Sequence, residues 1–200
     1  MIVVDGTTID MQGQGFANLE ELLLKVMEDK YMDDRVVTDV LVDNETFSEI
    51  YPHQAEDISS DEFSSVEIRT VPVQDMAVNI TRELYKVVNL MDHGSRQVAE
   101  LFRQADDGEA LEMYQDLLDV VRDFIGMISV LRDEFSLKDH KELQESSNEV
   151  NVLFGEMCEV MENEDWILLS DLLEYEFIPA VNKWKKIIAL LREDIKEYEA

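Results

Sequence analysis

The chain has 200 residues, of which 46% are hydrophobic, and its 46 acidic and 17 basic side chains give a formal net charge of −29. A hydrophobic fraction of this size predicts a folded chain despite the charge. The negative field repels phosphate backbones and anionic lipid headgroups, so direct binding to nucleic acid or to a membrane is not expected. The same field would attract a basic protein partner, or would serve solubility alone.

The residues after Met1 predict a cytoplasmic protein. They read IVVDGTTID, which has neither the basic nor the apolar stretch of a secretion signal. No later window approaches the ~18 uninterrupted apolar residues of a membrane span. Cys158 is the only cysteine, which excludes an intramolecular disulfide and a cysteine-cluster metal site. Its neighbours Met157 and Val160 predict a half-buried, unreactive thiol.

Residues 1–72 predict a small α+β module. Asp5-Gly6 stands between two β-prone segments, which is a strong hairpin signal. Asn18 is a suitable helix N-cap, and Glu21 three residues later completes a capping-box pattern. The helix that follows has one apolar face, made of Leu19, Leu22, Leu23, Val26 and Met27.

The segment VVTDVLVDNETFSEI then predicts a strand, a turn at Asp43-Asn44 and a shorter strand. A polar loop follows, and VEIRTV forms a last strand. This order of hairpin, helix, two strands, loop and strand resembles the β-grasp or ubiquitin-like fold. The resemblance covers residues 1–72 and implies a protein-interaction module. It does not imply a conjugated tag, because RTVP stands where ubiquitin-like modifiers end in Gly-Gly.

Residues 73–200 predict four long amphipathic helices, at about 73–105, 109–135, 137–162 and 165–198. Short links between them favour an antiparallel four-helix bundle. The pattern does not identify a family for this region. Apolar residues recur in alternating steps of four and three, as in the seam of packed helices. The first two seams are Val73, Ala77, Ile80, Leu84, Val87, Met91, Gly94, Val98, Leu101 and Ala105, and then Ala110, Tyr114, Leu117, Val121, Phe124, Ile128, Leu131 and Phe135.

Pro179 interrupts the seam of the fourth helix. Consecutive four-residue steps around Phe177 and Val181 form a stutter, which locally unwinds the supercoil. A proline inside it removes one backbone hydrogen bond and kinks the helix at a cost of ~3 kcal/mol. We therefore predict a kinked last helix, whose seam runs Trp166, Leu169, Leu173, Phe177, Val181, Trp184, Ile188, Leu191, Ile195 and Tyr198.

The charge of the fourth helix changes at the same proline, from acidic before it to lysine-rich after it. In one interpretation the kink wraps the helix around its neighbours, and the lysines balance the acidic helices beside them. In the other, a groove at the bend presents Tyr175, Lys183, Lys185 and Lys186 to a protein partner.

No motif predicts an enzyme. A di-metal bundle needs inward-facing glutamates and Glu-x-x-His pairs, but the seams carry no carboxylate and the chain has no Glu-x-x-His. His53, His93 and His140 lie far apart and lack metal-ligand spacing. The segment GQGFAN lacks the third glycine and the basic neighbour of a phosphate loop. We expect no catalytic residue, no metal and no cofactor.

The sequence therefore favours a non-enzymatic interaction protein, such as an adaptor, a regulator or a chaperone-like bundle. Its continuous seams could bind a partner helix or pair two subunits as a homodimer. The alternative is an acidic mimic of nucleic acid, a decoy that occupies a basic protein through carboxylates spaced like phosphates. Binding by a decoy would collapse with added salt and would compete with DNA or RNA.

Overall fold

The computed structural model of the protein describes residues 1–9, 15–47, 55–135, 137 and 140–198. These residues belong to two compact units, Met1–Met76 and Ala77–Ala200. The first unit holds a mixed sheet and a short helix, and long helices make up the second. The predicted α+β class, a sheet module followed by a helical bundle, is confirmed. The boundary was predicted at residue 72, where the last strand ends, and the units divide at Met76, in the first turn of the helix that follows.

The described part of the N-terminal unit forms five strands, one helix and a 3₁₀ turn. In chain order these are β1 (Ile2–Val4), β2 (Thr7–Ile9), α1 (Leu19–Met27), the 3₁₀ turn Lys30–Met32, β3 (Arg35–Val42), β4 (Glu45–Thr46) and β5 (Val66–Pro72). The sheet order is β2-β1-β5-β3-β4. β1 and β5 are parallel, and the other neighbouring pairs are antiparallel. The first and last strands of the unit therefore pair at its centre.

Two tight turns fix the register of the outer strand pairs. Asp5 and Gly6 have φ angles of 46° and 79°, and Asp43 and Asn44 have φ angles of 48° and 69°. Two consecutive positive φ angles match the type I′ turn, which suits the twist of hairpin strands and which Gly, Asn and Asp adopt most readily. Both predicted hairpin turns are confirmed.

The predicted cap of α1 is also confirmed. The Asn18 side chain accepts a hydrogen bond from the Glu21 amide at 3.0 Å. The Glu21 carboxylate accepts one from the Ala17 amide at 2.8 Å, one residue before the position expected of a capping box. The predicted apolar face was too wide at its end, because Met27 is 58% exposed at the last helical residue. The buried positions are Leu19, Leu22 and Val26.

Asp5 ties its turn to the rest of the sheet. Its carboxylate accepts hydrogen bonds from the Thr70 amide at 2.8 Å, the Thr70 hydroxyl at 2.6 Å and the Tyr31 hydroxyl at 2.9 Å. Arg35 completes the cluster with an ion pair at 3.2 Å. Burial raises the pKa of Asp5, but the bonds from Thr70 and Tyr31 and the charge of Arg35 outweigh it and hold the pKa below its usual value. Since all four side chains are engaged, the cluster stabilises the fold.

The helical region continues directly from β5. Its elements are α2 (Val73–Arg103), α3 (Asp107–Glu134), α4 (Lys141–Glu162), α5 (Trp166–Leu172), a π-helical segment (Leu173–Phe177) and α6 (Ile178–Glu197). The last three are consecutive and form the predicted fourth helix. The third helix begins at Lys141, later than predicted, because the His140 ring accepts a hydrogen bond from the Leu143 amide at 3.2 Å and caps it. Serine is a common N-cap residue, so the sequence also predicts Ser136 as a cap for this helix, but that residue lies outside the described residues.

Contacts between these helices define an antiparallel bundle. On α2, Ala99 accepts a hydrogen bond from Ser170, and Asp92 accepts one from Asn182. α2 and the last helix therefore run in opposite directions. The same opposition holds for α4, where Phe154 packs on Phe177 at 6.0 Å and Glu149 pairs with Lys183 at 2.5 Å. α3 runs parallel to α6, since its rings pair Phe124 with Trp184 and Phe135 with Tyr198. α3 is therefore diagonal to α6, as the up-down-up-down topology requires.

The first two predicted seams had different outcomes. All eight positions predicted on α3 are buried. On α2 only alternate positions were right, because the helix buries Thr81, Val88, Ser95 and Phe102 in place of the residue before each. Burial of the two hydroxyls costs little, since Thr81 donates to the Val78 carbonyl at 2.7 Å and Ser95 to the Met91 carbonyl at 2.6 Å.

The interruption predicted at Pro179 takes the form of a π-helical segment that ends at Phe177, two residues before the proline. The Ile178 amide donates to the Leu173 carbonyl, five residues back, so this turn holds one more residue than an α-turn. The wide turn absorbs the stutter, because Leu169, Leu173, Phe177 and Val181 are all buried at successive four-residue steps. It also suits the proline, which has no amide hydrogen to give to an α-helical carbonyl.

Candidate functional site

A groove of about 570 Å³ lies between α4 and the π-helical segment. Six of its residues come from α4, and the π segment contributes Glu176. The spacing on α4 explains the lining, because residues 145, 149, 152 and 156 follow steps of four, three and four and share one face of the helix. The α4 residues that line the groove are Glu145, Asn148, Glu149, Val152, Leu153 and Glu156.

The π segment brings Glu176 to this groove. Phe177, the next residue, is buried and packs against Phe154 of α4. That contact fixes the edge of the segment next to α4, so the carboxylate of Glu176 joins those on α4. The two walls of the groove are thus held by a packed aromatic pair.

Acidic and apolar groups share the groove. Val152 is 59% exposed within it, and Leu153 is buried beneath. Four carboxylates surround this apolar surface. The result is an acidic rim around an aliphatic floor, in which Val152 is exposed and Leu153 is buried.

The four carboxylates differ in their partners. Glu149 pairs with Lys183 of α6 at 2.5 Å, and Glu145 pairs with Lys141 of its own helix at 3.4 Å. Among the residues that the structure describes, no cation lies within ion-pair distance of Glu156 or Glu176. Half of the rim is therefore open to cations from outside the chain.

The structure does not bring the predicted partner residues into one cluster. Lys183 and Lys186 lie along α4, where Lys186 pairs with Glu142 at 3.4 Å. Lys185 is half-buried on the side of α2. There burial raises the pKa of Asp92, while hydrogen bonds from Asn182 and Arg96 and the charges of Arg96 and Lys185 lower it below its usual value. The lysines are thus divided between two acidic neighbours.

Tyr175 lies away from the lysines, beside the end of α2. Its ring is 64% exposed, and the Arg103 guanidinium lies over it at 5.9 Å from the centroid. Arg103 also pairs with Asp171 at 2.9 Å and with Glu174, and the hydrogen bonds that it donates to these two carboxylates raise its pKa. Arg103 therefore anchors the outer side of the π segment to α2, and Tyr175 covers the anchor.

Other candidates carry no site among the described residues. No group of three His, Cys, Asp or Glu side chains there is arranged to hold a metal ion. His140 caps α4, His93 is exposed, and His53 lies outside the described residues. Cys158 is exposed, so its predicted half-burial was wrong, because it lies on the outer face of α4 beyond the buried Met157.

In the described helices, no stretch combines the length and the apolar character that a membrane-crossing segment needs.

Sequence reasoning missed the groove although part of its signal was present. Four of the α4 residues that line it, Glu145, Glu149, Val152 and Glu156, each stand one position before a residue of the buried stripe, which is Ser146, Val150, Leu153 and Met157. An exposed valine between glutamates at this spacing is a detectable signal on one helix. The second wall could not be placed from sequence, since it depends on the extra residue of the π turn.

Comparison with known families gives two matches on this chain. Residues 1–71 match a domain of unknown function, DUF8043, and residues 79–187 match a domain of unknown function, DUF8042. Neither the curated proteins nor the solved structures include a match. The second match spans the helices that form the groove and covers more than half of the 200 residues. The chain therefore belongs to the family described as domain of unknown function DUF8042.

Proposed function

We propose that the protein is a non-enzymatic interaction protein, an adaptor, regulator or chaperone-like bundle, that binds a basic amphipathic helix of a partner protein. The observation that carries the proposal is the groove between α4 and the π segment, where an acidic rim surrounds the exposed side chain of Val152. Helix-in-groove recognition uses this combination of apolar anchors and flanking charge.

The dimensions of the groove suit a helix. Its wall on α4 runs from Glu145 to Glu156, which corresponds to ~16 Å at 1.5 Å per residue, or about three helical turns. A partner helix of that length places apolar residues over Val152 at i, i+3 or i+4, and i+7. Its lysines and arginines then lie on both sides, within reach of the carboxylates.

Charge favours a basic partner over a neutral one. The rim is acidic, and Glu156 and Glu176 have no cation at ion-pair distance among the described residues. The net charge of −29 adds long-range attraction, which mainly raises the association rate of a basic partner. The apolar floor then supplies affinity that survives added salt.

The floor also separates this proposal from the nucleic-acid decoy. A decoy requires carboxylates that replace phosphates on a polar surface, and it gains nothing from an exposed valine between them. Val152 and Leu153 therefore favour the amphipathic helix. Competition by DNA for the same partner would instead support the decoy.

Two predictions from sequence remain proposals. The observed hairpin, helix and strands of residues 1–72 have the order on which the β-grasp resemblance rests, and we propose a second interaction surface there. A homodimer is the other, and sedimentation of the full chain over a range of concentrations tests it directly.

The proposal is tested with a fluorescent peptide of leucine and lysine, about 14 residues long, which spans ~21 Å as a helix. We expect it to bind the full chain and to bind the triple variant Glu149→Gln, Glu156→Gln, Glu176→Gln roughly tenfold more weakly, since three rim pairs are lost. Fluorescence anisotropy at low and at physiological salt measures both affinities.

A matched variant separates the groove from the general charge of the chain. Glu109→Gln, Glu112→Gln and Asp116→Asn remove the same three charges from exposed positions on α3. We expect this variant to bind the peptide within about twofold of the wild type. Equal weakening of peptide binding in both triple variants would show that the affinity depends only on the net charge of the chain, and would contradict a site in the groove.

A further inference from the structure

We infer that Lys183 is a built-in competitor for the groove, a side chain that occupies part of the acidic rim until a partner cation displaces it. The inference rests on the proposed function, because it concerns the regulation of the same site. It starts from one contact: the Lys183 ammonium lies 2.5 Å from Glu149, and Glu149 lines the groove.

The position of Lys183 is that of a ligand cation. Its side chain crosses from α6 to α4 and places its ammonium on a rim carboxylate, in the way that a lysine of a bound basic helix would do. A partner lysine and Lys183 cannot both make the closest pair with the same Glu149 oxygen. A partner lysine that pairs with this oxygen therefore displaces Lys183.

The contact is weak enough to exchange. The Lys183 side chain is 55% exposed and that of Glu149 38%, and pairs exposed to this degree contribute little to stability. The bundle does not depend on this pair, because Phe154 packs on Phe177 and holds α4 against the π segment. Lys183 can therefore swing into solvent while the helices stay packed.

Lys186 provides a matched control on the same helix. It makes the equivalent contact from α6 to α4, with Glu142 at 3.4 Å, but Glu142 does not line the groove. Replacement of either lysine by glutamine makes the same change in net charge. A difference between the two variants therefore reports competition at the rim rather than long-range attraction.

The test is the affinity of the full chain for the leucine-lysine peptide, with each lysine replaced in turn. We expect Lys183→Gln to bind the peptide about threefold more tightly than the wild type, and Lys186→Gln to bind it within about 1.5-fold. The gain from Lys183→Gln should disappear in a Glu149→Gln background, because no pair is then left to break.

Two results would overturn the inference in distinguishable ways. If the wild type binds the peptide in the groove but Lys183→Gln binds it equally or more weakly, Lys183 is not a competitor and the proposed function stands. If neither the wild type nor either lysine variant binds the peptide, the proposed function fails, and the inference fails with it.

Discussion

Replacement of Trp184 by alanine is expected to lower the free energy of unfolding by about 3–5 kcal/mol, the range for deleting a large aromatic side chain from a core. Trp184 is 1% exposed, and its indole packs edge to face on Phe124 at 5.2 Å. Because α3 and α6 are diagonal in the bundle, this pair fills the space at its centre. Urea unfolding followed by far-ultraviolet circular dichroism measures the loss.

Two further variants serve as controls for the Trp184→Ala measurement. The buried Trp184 Nε1 has no hydrogen-bond partner among the residues described, so Trp184→Phe removes volume without breaking a bond and should cost well under half as much. Val130, which is 61% exposed on α3, should tolerate alanine within about 0.5 kcal/mol. A loss below about 1 kcal/mol for Trp184→Ala would contradict a packed bundle core at this position.

Deletion of Tyr175 is expected to destabilise the protein by about 3 kcal/mol. The main cause is the new position of Pro179 inside a regular α-helix, and not the loss of the tyrosine side chain. Leu169, Leu173, Phe177 and Val181 stand at four-residue steps, and removal of one residue between Leu173 and Phe177 leaves alternating steps of four and three. That spacing is a regular α-helical seam, so the π turn is no longer needed. Pro179 would then lie inside an α-helix, where it clashes with the preceding turn.

A double-variant comparison isolates this coupling. Pro179→Ala should change the stability of the wild type by less than about 1 kcal/mol, because the π turn already accommodates the proline. In the chain that lacks Tyr175, the same substitution should restore about 3 kcal/mol. Equal effects of Pro179→Ala in both backgrounds would show that the π turn and the proline are independent.

The parts of the fold that the sequence predicts well are those with an unambiguous local pattern. The α3 seam was predictable because each apolar position from Ala110 to Phe135 recurs at heptad spacing and is buried as expected. Both hairpin turns were predictable because Asp-Gly and Asp-Asn favour positive φ. In these places local propensity and packing point to the same structure.

The α2 seam was only half predictable, because its sequence allows two stripes. Val87 and Val88 are neighbours, as are Leu101 and Phe102, so hydrophobicity does not choose between them. The choice depends on packing across the bundle, where Phe102 stacks on Trp166 at 5.3 Å. That contact joins residues far apart in the chain, so the sequence of α2 alone does not predict it.

The candidate site was the least predictable part. The sequence drew attention to the lysines after Pro179, whose charges the structure shows engaged by acidic neighbours on α4 and α2. The groove instead combines an exposed face of α4 with Glu176 from a π turn. Helical periodicity places each wall separately, but only the packing of Phe177 on Phe154 brings the walls together.

The measurement that tests the groove most directly is disulfide capture of the basic peptide at a single cysteine. In a Cys158→Ser background, Val152→Cys places a thiol on the groove floor, and Val130→Cys places one at similar exposure on α3. With a peptide that carries one cysteine, we predict much faster disulfide formation at position 152 than at position 130. An excess of the same peptide without cysteine should slow disulfide formation at position 152 only. Equal rates at the two positions, or no effect of the competitor, would contradict binding in the groove.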